Sequence, residues 1–151
     1  MDLHGVTVGS DDSSAVFISN RTGVWRSRDR GANWDNLNFE KFTDIFYSRG
    51  VETDPNDPNT LYACVGLNFG SQQGGVMRSI DQGDTWERFD KGVNPSSTTF
   101  GVAINEHAPE QVYFCTRQGE VFGTRDGGET WSSHALPEMA GSVKAIACAS
   151  A

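Results

Sequence analysis

The octet Thr124-Arg125-Asp126-Gly127-Gly128-Glu129-Thr130-Trp131 has two earlier counterparts in the chain, Ser27-Arg28-Asp29-Arg30-Gly31-Ala32-Asn33-Trp34 and Ser79-Ile80-Asp81-Gln82-Gly83-Asp84-Thr85-Trp86. Each reads Ser or Thr, any residue, Asp, any residue, Gly, two more residues, then Trp. A short Asp side chain in a turn accepts hydrogen bonds from backbone N–H groups just ahead of it. The Gly two positions on takes the left-handed backbone that a tight reversal needs. The Trp five positions after the Asp supplies a large flat apolar surface where the next strand begins. The structural residues are thus Asp29, Gly31 and Trp34, then Asp81, Gly83 and Trp86, then Asp126, Gly128 and Trp131. Three such corners in 151 residues predict a repeat protein built of hairpins.

The rest of the chain keeps step with the corners. Asp29 to Asp81 is 52 residues and Asp81 to Asp126 is 45. Gly50-Val51 through Leu61-Tyr62-Ala63-Cys64 aligns without a gap onto Gly101-Val102 through Val112-Tyr113-Phe114-Cys115. The longer spacing comes from extra residues near Gly66–Gly74. The expected units cover about 5–37, 47–90 and 100–135, each a four-stranded antiparallel sheet, near the period of propeller blades. Strands are expected near Val6–Gly9, Ala15–Ser19, Val24–Arg28 and Asn33–Leu37, and then over Tyr47–Thr53, Thr60–Val65, Gly75–Ile80 and Thr85–Phe89. The third set is Phe100–Asn105, Gln111–Thr116, Glu120–Thr124 and Thr130–His134. A last apolar run, Val143–Cys148, predicts a closing strand over 142–149 that matches the first strand of a fourth unit.

The octets resemble the Asp-box, or BNR repeat, which marks the hairpin between the third and fourth strands of blades in sialidase-like, sortilin-like and photosystem II assembly-factor β-propellers. All three copies match at every defining position. The resemblance implies an all-β fold, a β-propeller of three blades plus one closing strand, and in that family the Asp-box is a fold element that implies no particular reaction. The closing residues, Leu136 through Cys148, resemble the ends of bacterial glycosyl-hydrolase-like BNR proteins. Closed propellers have about four to eight blades. Either self-association or further blades upstream is therefore expected to complete the ring, and the upstream reading is favoured.

Composition narrows the function. A net charge of −8 argues against nucleic acid or an anionic membrane as partner, since both need basic surface. No apolar run approaches the roughly 20 residues of a membrane helix. Met1-Asp2-Leu3-His4-Gly5 has neither the basic nor the apolar part of a secretory signal, which favours a cytoplasmic location. The three cysteines lack metal-ligand spacing, and Cys64 and Cys115 fall at equivalent repeat positions as small core residues. His4, His107 and His134 are scattered, so neither a metal site nor a catalytic triad is indicated. No phosphate-binding glycine loop is present and no cofactor is expected.

In a four-stranded blade the third-to-fourth and first-to-second turns share one end. The second-to-third loops and the crossings between blades share the other, where inner strands converge and ligands are expected. Candidate ligand-binding residues on that loop face are Arg21, Arg49, Phe69, Gln72, Asn94 and Arg117. Their mix of rings, amides and guanidinium groups suits a glycan or a protein strand. Glycoside hydrolysis needs two carboxyl groups some 5 to 10 Å apart, and Glu40 and Asp44 share one crossing. Tyr47 beside Arg49 is a third catalytic candidate, because the sialidase variant pairs a tyrosine nucleophile with arginines that grip a carboxylate. The Arg-Ile-Pro stretch typical of sialidases is absent. The function expected first is a glycan- or protein-binding scaffold module; the alternative is a glycoside hydrolase.

Overall fold

A computed structural model describes residues 2–10, 15–137 and 140–149. Twelve strands and one short 3-10 turn make up its regular structure, with no α-helix among the described residues. The first sheet contains β1 (Leu3–Val8), β2 (Val16–Asn20), β3 (Gly23–Ser27) and β4 (Asp35–Asn36). The 3-10 turn Phe39–Lys41 leads to β5 (Tyr47–Asp54), β6 (Asp57–Gly66), β7 (Gly74–Ser79) and β8 (Glu87–Arg88). The third sheet holds β9 (Thr99–Asn105), β10 (Ala108–Thr116), β11 (Glu120–Thr124) and β12 (Ser132–Ala135). Each sheet runs in sequence order with antiparallel neighbours. The chain is all-β, three blades of a β-propeller.

Each corner forms the same hydrogen-bonded knot. An Asp carboxylate oxygen accepts from the hydroxyl two residues earlier, at 2.8 Å for Asp29, 2.8 Å for Asp81 and 2.7 Å for Asp126. It also accepts the N–H four residues on, from Asn33, Thr85 and Thr130. The second oxygen takes the side chain of that same residue. Gly31, Gly83 and Gly128 have φ of 92°, 91° and 94°, the left-handed region where glycine is favoured. The Asn33 amide, as the largest influence, holds the Asp29 carboxyl down at about 2, and the Thr130 hydroxyl does the same for Asp126. Partial burial opposes the effect at Asp81, but the bonds from Thr85 prevail and its carboxyl also lies low.

The sheets stack face to face around two cores. Because strand side chains alternate, β6 serves both: Leu61, Ala63 and Val65 point into the core shared with the first sheet, Tyr62 and Cys64 into the core shared with the third. The corner tryptophans close the joints. Trp86 meets the ring of Phe39 edge-on at 4.8 Å, and Trp131 meets Phe89 at 5.4 Å. Arg26 reaches from β3 to the second corner, donating to Gln82 O at 2.7 Å and pairing with Asp84 at 2.9 Å.

Along the inner strands the sheets approach through glycines. A Cβ at Gly5 would stand 3.3 Å from Gly50 Cα, and one at Gly50 would stand 3.3 Å from Phe100 O. One at Gly101 would stand 3.2 Å from Ile146 N. The run 142–149 therefore sits where a fourth inner strand belongs. It is not a strand, however, and the expected closing strand is corrected on this point. A ladder needs a second strand at its outer side, and none lies there among the described residues. The fourth strands of the first two sheets are also shorter than expected, two residues each. Trp34 departs from the expected packing between blades: it is 36% exposed against 6% for Trp86, because no sheet lies on its outer side among the described residues.

Candidate functional site

The two ends of the sheets separate as the hairpin order requires. At the corner end, Gln82 N–H donates to Asn59 O and Gly127 N–H to Glu110 O, tying corners to first-to-second turns. At the other end, Thr98 N–H donates to Ser71 O and Arg117 N–H to Thr98 O, tying crossings to second-to-third loops. The loop face is thus one continuous surface over the second and third sheets.

Its inner part carries a ladder of alternating rings and guanidinium groups. The Arg49 guanidinium lies 4.7 Å from the centroid of Phe100 and 5.7 Å from that of Phe69. On Phe69 sits a second guanidinium, that of Arg117, at 5.5 Å. Arg49 Nη1 donates weakly to the Tyr47 hydroxyl at 3.5 Å, and the Tyr47 ring leans on His4 at 5.1 Å. Neither arginine has a carboxylate within ion-pair distance among the described residues, whereas Arg26, Arg28, Arg78 and Arg88 all do. Cation–π stacking fixes the guanidinium planes while leaving N–H edges for a ligand. Phe69, on the inserted loop of the second sheet, remains 53% exposed.

Four of the sequence candidates therefore meet: Tyr47, Arg49, Phe69 and Arg117. Three others, Asp44, Gln72 and Asn94, line a separate cavity of about 540 Å³ together with Arg88 and Ser96. Arg21 stands exposed in the β2–β3 turn, outside the ladder. Glu40 is exposed on the 3-10 turn and is not among the residues lining the Asp44 cavity.

Sequence reasoning missed two residues. Phe100 is the middle ring of the ladder, and the repeat alignment carried the signal, since Phe100 precedes Gly101 as Arg49 precedes Gly50. Glu52 lines a second cavity of about 330 Å³ with Asn105, Glu106 and Ile146. Although part of its surface is open to solvent, burial against the neighbouring strands raises its carboxyl above the usual range. Burial likewise pushes the Cys115 thiol up to about 11 and Cys64 well above its ordinary value, leaving both as core thiols rather than nucleophiles. Among the described residues no three His, Cys, Asp or Glu side chains gather as a metal site.

Comparison with known proteins agrees with this architecture. The xyloglucanase Xgh74A of Acetivibrio thermocellus is 34% identical over 92 residues, 54% of this chain and 11% of that protein. A Paenibacillus xyloglucanase is 29% identical over 138 residues, 81% of this chain and 13% of its own length. The chain thus spans about an eighth of these relatives. Among solved structures, the GH74 xyloglucanase of Xanthomonas campestris superposes with a TM-score of 0.69 at 19% identity, over 86% of this chain and 20% of that one. YCF48 from Cyanidioschyzon merolae gives 0.65 at 18% identity, over 87% of this chain and 39% of the other. At such identities these two show the fold alone. The family model described as "Sortilin, neurotensin receptor 3" matches residues 74–149, half of the chain. The corners, the stacked four-stranded sheets and that match together place the chain in the Sortilin-Vps10 family.

Proposed function

We propose that these three blades are a glycan-binding module whose ligand lies on the loop face, across the Phe69 ring. The observation that carries this reading is the ladder itself. An exposed ring stands within 6 Å of two arginines that have no carboxylate partner among the described residues. Sugar rings present an apolar face that stacks on an aromatic plane, and their hydroxyls accept from fixed N–H groups. Gln72 and Asn94, which line the separate cavity of the second-to-third loop and crossing, offer further amides to a longer chain of sugars. Relatives named xyloglucanases make a β-glucan the first ligand to try.

Calorimetric titration with xyloglucan, cellulose and mannan oligosaccharides tests the reading. Phe69→Ala should weaken binding at least tenfold without moving the melting temperature, because the ring is exposed. Binding by none of the panel, or binding indifferent to Phe69, would remove the glycan reading and leave a protein strand as ligand.

Hydrolysis is the second reading, favoured by the relatives' names and by one cavity lined by both Glu52 and Glu106. A general acid needs a carboxyl raised above its ordinary range, and burial against the neighbouring strands moves Glu52 in that direction. Turnover of aryl glycosides, lost in Glu52→Gln and retained in Glu40→Gln and Asp44→Asn, would support it. Loss only in the latter two would return the chemistry to the crossing.

A further inference from the structure

We propose that Thr98 is the positioning residue of the loop face: it holds Phe69, Phe100 and Arg117 as one unit before any ligand arrives. Its effect on binding rests on the glycan reading; its hold on the ladder does not. Phe69 sits on the loop between β6 and β7, Phe100 on β9 and Arg117 just past β10, so three separate segments have to agree in position. Thr98 lies where they meet and is fully buried. Its hydroxyl donates to Asn68 O at 2.6 Å, on the residue before Phe69. Its N–H donates to Ser71 O at 3.4 Å, and its carbonyl accepts the Arg117 N–H at 2.9 Å. One residue thus grips the loop on either side of Phe69 and the backbone of Arg117. Two positions on, the Phe100 ring meets that of Phe69 at 5.6 Å.

Inside the loop, Gly70 N–H donates to Asn68 Oδ1 at 2.9 Å and Ser71 N–H to Asn68 O at 3.3 Å. These bonds shape the loop without attaching it to the third sheet; Thr98 makes that attachment. Thr98 is itself fixed by its neighbour, because the Thr99 hydroxyl accepts the Val65 N–H at 2.8 Å and so pins the crossing to β6. The fit leaves no slack. A Cβ at Gly66 would stand 2.5 Å from Thr98 Oγ1, and one at Gly74, its partner across the β6–β7 ladder, would run into Ser97 O. Replacing the buried hydroxyl by a methyl removes the donor and leaves Asn68 O without that bond, which frees the loop to lift. A ring already held in place adds no ordering cost when a ligand stacks on it, so loss of the bond weakens binding without touching a contact.

NMR of the full chain, free of ligand, is the test. An N–H held over an aromatic face resonates upfield, so the arginine Nε–H signals report the stacking. Phe69→Ala sets the scale for Arg117, whose guanidinium lies 5.5 Å from that ring. Thr98→Val should carry the Arg117 signal at least half of the way to its Phe69→Ala position, and Thr98→Ser, which keeps the hydroxyl, should leave it in place. Arg49 also stacks on Phe100 and should move less. Unchanged amide signals of Gly31, Gly83 and Gly128 show that each variant is folded. An Arg117 signal unmoved by Thr98→Val overturns the proposal, and so does an equal shift in Thr98→Ser. Should Thr98→Val not fold, backbone relaxation of the unaltered chain decides. Residues 67–73 should then show order parameters near the rigid value of about 0.85, and values below about 0.6 overturn the proposal. Titration with xyloglucan, cellulose and mannan oligosaccharides adds the ligand arm: Thr98→Val should weaken binding at least fivefold and Thr98→Ser less than twofold. Absence of binding by the wild type removes the glycan reading and leaves the ladder to the NMR result. Equal affinities in wild type and Thr98→Val overturn the part of Thr98 in binding.

Discussion

The first and second corners are nearly the same piece of chemistry in different settings. In both the Asp collects the same bonds, the Gly takes the same φ, and the indole N–H donates to the Gly carbonyl, at 3.1 Å from Trp34 and 3.0 Å from Trp86. Yet Trp86 is 6% exposed and Trp34 36%. The octet therefore encodes a turn and aims a tryptophan; burial comes from the sheet that arrives on the other side. Local geometry and stabilisation are separable here, and mutation can weigh them apart.

The largest difference should come from the tryptophans. Trp86→Ala is expected to cost roughly 3–5 kcal/mol as a buried aromatic truncation, and Trp34→Ala below about 1 kcal/mol, in urea unfolding of the monomer. Equal losses would break the contrast. Next come the glycines. A methyl at Gly83 would stand 2.5 Å from Leu37 Cδ1, whereas one at Gly31 meets only the Trp34 ring at 3.6 Å. Both substitutions carry the strain of positive φ, roughly 1–3 kcal/mol, so the clash should make Gly83→Ala the costlier by about 1 kcal/mol or more.

The smallest effect is one in which first and third corners should agree. Asp29 and Asp126 both titrate near 2, below the ordinary 3.8, through bonds made within their own turns. A lowered folded-state value contributes stability above the unfolded value, lost as pH falls from about 3.8 through about 2. Melting temperatures should thus be insensitive to these groups from pH 5 to 7 and fall in that acid window. Asp126→Asn should flatten part of the fall. NMR titration of the two carboxyls giving unlike values would show that the neighbouring sheet reaches into the turn after all.

What could be read from the sequence follows the same division. Corners were legible because the hydrogen bonds collected by each corner Asp join residues within four positions. The glycine-valine register of the inner strands was legible because it repeats. The ladder of rings and guanidinium groups was legible in part. Arg49, Phe69 and Arg117 come from three segments whose loop face could be named, but which rings the guanidiniums would choose depends on how the inserted loop folds back. Glu40 and Asp44 were paired by nearness in sequence; Glu40 lies on the 3-10 turn Phe39–Lys41, and Asp44 lines a cavity with Gln72 and Asn94. The run 142–149 shows the limit most clearly. Its pattern gives its place beside Gly101, but pairing is a property of two strands, and a single sequence pattern carries only one of them.

The bare glycine seam along the inner strands has a geometric corollary. Where Gly5, Gly50 and Gly101 meet their neighbours, hydrogen takes the room that a methyl would claim. The hub thickness of each blade is set there, and with it the angle by which one blade turns from the last. A methyl on any of these three would act as a thin wedge at the axle, asking the facing chain to give way by a few tenths of an ångström.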